Sequence, residues 1–65
     1  MIYQLRLAKT VEDCKEIMKL PIVCDGNYKI IKKYAENNGF LFKRDKKLLY
    51  QCYFVNTNCE VLYIT

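Results

Sequence analysis

The run spanning residues 39–65 constrains the fold more than any other part of the chain: Gly-Phe-Leu-Phe-Lys-Arg-Asp-Lys-Lys-Leu-Leu-Tyr-Gln-Cys-Tyr-Phe-Val-Asn-Thr-Asn-Cys-Glu-Val-Leu-Tyr-Ile-Thr. It is dense in aromatic and aliphatic residues, and two polar triplets of turn length, Arg44-Asp45-Lys46 and Asn56-Thr57-Asn58, interrupt it. Such punctuation predicts three consecutive antiparallel strands, over residues 40–43, 48–55 and 59–64. In the middle one both alternating sets are apolar, Leu48, Tyr50, Cys52 and Phe54 on one side and Leu49, Tyr53 and Val55 on the other. That strand is expected in the middle of a sheet, covered on both faces.

Upstream, residues 2–7 alternate, with Tyr3, Leu5 and Leu7 sharing one side, which predicts a half-buried strand. Thr10 followed by Val11-Glu12-Asp13 has the pattern of a helix start, a hydroxyl cap with two acids in the first turn. Val11, Cys14, Ile17 and Met18 then recur at helical spacing, and Leu20-Pro21 closes this first helix. Residues 21–25 read as a connector. Asp25-Gly26-Asn27 offers caps for a second helix with Ile30, Ile31, Tyr34 and Ala35 inside and Lys29, Lys32, Lys33 and Glu36 outside, ended by Asn38-Gly39. The expected fold is therefore one α+β domain over residues 1–65: strand, helix, helix and a three-stranded antiparallel meander, giving a four-stranded sheet with two helices.

A chain of 65 residues buries only about 60% of the surface its unfolded form exposes. With 52% apolar residues and six Tyr among its aromatics, it is expected to bury some of them against another chain, as a homo-oligomer or in a complex with another protein. Cys14, Cys24, Cys52 and Cys59 have no Cys-x2-Cys spacing and the chain has no His, so no metal is expected. Three of the four fall in periodic apolar positions and read as small core residues. No apolar run approaches 18 residues and no leader is recognisable, so a cytoplasmic chain with reduced thiols is the expectation.

Catalytic chemistry finds little to work with. His and Ser are both missing, so the commonest general base and the Ser–His and Cys–His nucleophile systems are too. Asp13, Asp25, Asp45, Glu12, Glu16, Glu36 and Glu60 are scattered through helix faces, caps and turns. No enzyme and no cofactor are expected.

The opening Tyr3-Gln-Leu-Arg-Leu-Ala-Lys-Thr-Val-Glu-Asp-Cys-Lys-Glu-Ile17 resembles that of GNAT-type N-acetyltransferases, whose first strand ends in Arg-x-Ala before a Thr-x-x-Asp helix start. The resemblance implies the N-terminal half of that fold, truncated before the acetyl-coenzyme A site. In that family the pyrophosphate rests on a Gly-rich loop leading into a helix. Gly26 and Gly39 are the only glycines here, so no cofactor-binding residue carries over and acetyl transfer is not implied.

What remains is binding. In the expected topology the last strand lacks a neighbour, leaving Val61, Leu62, Tyr63 and Ile64 at an apolar edge open to strand addition or dimerisation; the competing arrangement has the first strand cover that edge in a plain monomer. A nucleic-acid reading rests on a basic hairpin tip, Lys43, Arg44, Lys46 and Lys47, with Tyr50 and Phe42 for base stacking. A net charge of +4 suits it only modestly. Frequent Lys, Asn, Ile and Tyr match AT-rich codons and suggest a phage or mobile-element accessory protein that binds and inhibits a host or defence protein; a small structural or assembly role is the other expectation.

Overall fold

The computed structural model describes residues 1–9, 16–47 and 51–65. Five strands form one antiparallel sheet: β1 (Tyr3–Ala8), β2 (Ile22–Gly26), β3 (Leu41–Arg44), β4 (Cys52–Val55) and β5 (Val61–Ile64), in the order β2-β1-β5-β4-β3. Among the described residues one α-helix, α1 (Tyr28–Asn37), lies between β2 and β3 in the chain. This corrects the four-stranded, two-helix expectation at two places.

The first is the segment read as a connector, which forms β2. Pro21 precedes it, where a missing N–H costs a strand nothing, and Ile22 and Val23 supply β-branched side chains. It pairs with β1 through Leu5↔Cys24 and Arg6↔Ile22, so Val23 is an extra residue at the Leu5–Arg6 step. That bulge removes the alternation by which a strand is recognised in sequence. The second place is the first helix. Residues 10–15 lie outside the described residues, and residues 16–19 form a single 3₁₀ turn before Pro21.

The α1 helix begins where the cap signals converge. Asn27 is the N-cap, its Oδ1 accepting from the Ile30 N–H at 3.0 Å. At the other end Asn38 closes the helix and Gly39 follows at φ 82°, a left-handed conformation that costs glycine nothing. Ile31 and Ala35 are buried and Tyr34 is half-buried, but Ile30, expected inside, is half exposed.

Two clusters hold the sheet. On the face carrying α1, Leu5, Phe54 and Leu62 meet Ile31, Ala35 and Phe40. On the other, Ala8, Tyr53, Val61 and Tyr63 pack with Ile17, with Leu20 and Val55 at the margin. Tyr53 and Phe54 are neighbours buried on opposite faces, so β4 is central and covered on both sides as its composition demands; residues 48–50 of the expected strand lie outside the described residues. The segment before Pro21 is tied to the second face by Arg6, whose Nη1 donates to the carbonyls of Met18 at 3.0 Å and Leu20 at 2.8 Å.

The β4–β5 turn is wired by one side chain. Asn56 Oδ1 accepts from the Asn58 N–H at 3.0 Å and the Glu60 N–H at 2.9 Å, while Asn56 Nδ2 donates to Glu60 Oε1. Cys59 occupies the left-handed position at φ 64°, where a three-residue hairpin loop ordinarily takes glycine. Cys24 and Cys52 are half-buried and Cys59 is exposed, so none of these three is the fully enclosed core residue expected from periodicity; Cys14 lies outside the described residues.

Candidate interaction surface

The strand order relocates the edge of the sheet. β5 lies between β1 and β4, paired by Leu7↔Leu62 on one side and Phe54↔Leu62 on the other. Val61, Leu62 and Tyr63 are buried and Ile64 is half-buried, so the expectation of an open edge at Val61, Leu62, Tyr63 and Ile64 is overturned. The cause is β1, which pairs with β5 and takes β2 on its far side. Among the described residues the two edges are β2 and β3.

These edges differ. β2 packs against α1, whereas β3 exposes all four of its residues. Leu41 is 71% exposed and Phe42 47%, which is unusual for large apolar side chains adjacent in one strand. Their side chains fall on opposite faces. Phe42 stands on the face bearing α1, edge-on to Phe54 with ring centroids 5.6 Å apart, and Leu41 falls on the other face opposite Val55.

The backbone of β3 has a defined polarity. Just past it, the Asp45 N–H donates to the Gln51 carbonyl at 2.8 Å. In an antiparallel ladder hydrogen-bonded pairs alternate, so Lys43 and Leu41 direct their amide groups at β4 while those of Phe42 and Arg44 point outward. Four main-chain donors and acceptors thus line the open side, and the residues that own them carry their side chains on the α1 face.

That face is only part covered. The helix packs on β2 and β1 and leaves the β4–β3 half to side chains. A mainly apolar cleft of about 250 Å³ remains there, bounded by Tyr3, Tyr28, Ile31, Phe42, Cys52 and Ile64. Tyr3 and Tyr28 meet edge to face at 6.4 Å. A second, more polar cleft of about 390 Å³ lies where Tyr34 and Asn38 approach Asn56, Asn58 and Glu60.

The predicted basic group divides across this region. Lys43 and Arg44 belong to β3 itself and Lys46 and Lys47 to the turn after it, all four exposed, while Tyr50 lies outside the described residues. Asp45 Oδ1 accepts from the Lys47 N–H at 2.9 Å, so the one carboxylate among them is occupied in shaping the turn. Phe42 shares its face of β3 with Arg44, while Lys43 falls on the other face. Leu41 and Tyr28, both exposed, were missed as surface residues, Leu41 because its exposure follows from the position of β3 at a sheet edge.

Comparison with protein-family models, with curated proteins and with solved structures finds no match for this chain. No helix among the described residues is long and apolar enough to cross a membrane.

Proposed function

We propose that this is a non-catalytic protein-binding module that takes an extended segment of another protein chain along β3. One observation carries the reading: a strand exposed at every position, with two large apolar side chains and an outward row of unpaired main-chain groups, borders an apolar cleft. Exposed strands attract further strands because main-chain hydrogen bonds add affinity whatever the partner's sequence, while side-chain pockets select among partners. The absence of His and Ser from the chain supports a binding role over a catalytic one.

Photo-crosslinking tests it. A photoreactive residue at position 41 is expected to give discrete protein adducts in cells, and the same group at Lys33, exposed on α1, none. Equal adduct patterns from both positions would refute the reading.

A second reading draws on the four exposed cations beside Phe42, which together offer phosphate contacts and a stacking ring to single-stranded nucleic acid. Under it, Lys46→Gln with Lys47→Gln lowers the salt dependence of oligonucleotide binding. No binding to any oligonucleotide at low salt would retire it.

A further inference from the structure

Resting on the protein-binding reading, we propose that the segment added to β3 is an antiparallel strand carrying two adjacent acidic residues followed directly by two apolar ones. Register decides the order. The outward amide groups belong to Phe42 and Arg44, so two partner residues form hydrogen-bonded pairs with these positions and place their side chains directly opposite, on the α1 face. Running antiparallel, the partner meets Arg44 first, then Lys43, Phe42 and Leu41.

Each position has a chemical preference. Opposite Arg44 and Lys43 a carboxylate is favoured and a cation is repelled. Opposite Phe42, on the α1 face, an apolar side chain covers a ring that is 47% exposed. Opposite Leu41, on the far face, an apolar residue covers a side chain that is otherwise in water.

Charge separates this partner from a second copy of the chain. The tip following β3 adds Lys46 and Lys47, and the whole chain carries +4. Another copy brings the same excess of positive charge, whereas an acidic strand is drawn in and registered by it.

Fluorescence anisotropy with labelled eight-residue peptides provides the test. One has Glu-Glu-Val-Val at its centre, one Lys-Lys-Val-Val, and one is the acidic peptide methylated on the two amide nitrogens that would face Phe42 and Arg44. At low salt the acidic peptide is expected to bind at least tenfold more tightly than the basic one. Methylation abolishes binding, and Lys43→Glu with Arg44→Glu reverses the preference. Equal binding of both peptides, indifference to methylation, concentration-dependent dimerisation through β3 that excludes the peptide, or tighter binding of a single-stranded oligonucleotide to the same cations would each overturn it. If the peptides fail while position 41 still gives specific protein adducts, only the partner chemistry is wrong. If both fail, the protein-binding reading falls too.

Discussion

Arg6 Nη1 donates to the Leu20 carbonyl at 2.8 Å across fourteen residues of sequence, fastening the segment before Pro21 to the face of the sheet away from α1. The residue is 9% exposed, and its Nε–H meets no acceptor among the described residues. Arg6→Ala leaves the Met18 and Leu20 carbonyls without this donor and is expected to cost about 2–3 kcal/mol. Arg6→Met keeps the volume and is expected to lose about 1–2 kcal/mol. Urea denaturation measures both, and amide exchange should quicken at residues 16–20 before the sheet. An unchanged midpoint in Arg6→Ala would show that the tie contributes nothing.

The two glycines should respond unequally. Both have positive φ, 142° at Gly26 and 82° at Gly39, but a Cβ at Gly26 would lie 3.0 Å from Ile30 Cγ2, while at Gly39 it meets nothing within 4 Å. Gly39→Ala is expected to cost about 1 kcal/mol from backbone conformation alone. Gly26→Ala adds a steric clash and should cost about 2–3 kcal/mol. Equal thermal midpoints for the two variants would contradict this.

Phe42 and Phe54 touch, yet they should separate binding from stability. Phe54 is 1% exposed, and Phe54→Ala is expected to cost about 3–5 kcal/mol. Phe42→Ala loses the edge-on contact and little else, about 1 kcal/mol. It should nevertheless abolish adducts from position 41, whereas a Phe42→Ala variant that keeps every adduct would disconnect Phe42 from partner binding.

Thiol labelling should follow exposure and charge. Cys59 is exposed, whereas burial, and then the neighbouring Asp25 carboxylate, push the Cys24 thiol up. Because the thiolate is the reactive form, Cys59 should alkylate well before Cys24 near pH 8, and the gap should narrow as pH rises. Asp25→Asn should speed Cys24 modestly. Peptide mapping by mass spectrometry reads each site, and faster labelling at Cys24 would overturn the order.

Local structure was legible wherever its signal is local. Alternation at Tyr3, Leu5 and Leu7 marked β1, Asn38-Gly39 marked the end of α1, and the Asn56 triplet marked its turn. The strand at Ile22–Gly26 was not, because its bulge at Val23 breaks the period and three apolar residues are too few to restore it. The site depended on that omission. Once β2 takes one side of β1, the other side pairs with β5, and Val61 to Tyr63 move from a supposed edge to the middle of the sheet. No pattern within residues 59–64 distinguishes those outcomes, since a buried strand and an apolar edge share a composition. Lys43, Arg44, Lys46 and Lys47 are all exposed, but Arg44, expected in the turn, belongs to β3, because the ladder with Cys52 extends one residue past the expected strand end.

The pairing of β1 with β5 joins strands from opposite ends of the described chain, with Leu5 facing Ile64. During synthesis, then, β1 can hold only β2 while its other flank waits for residues about sixty positions downstream, and the two halves of the sheet join only once β5 has emerged. A nascent chain stalled before Val61 exposes Phe54 and Leu5 together, a state that calls for chaperone protection rather than a partly working protein.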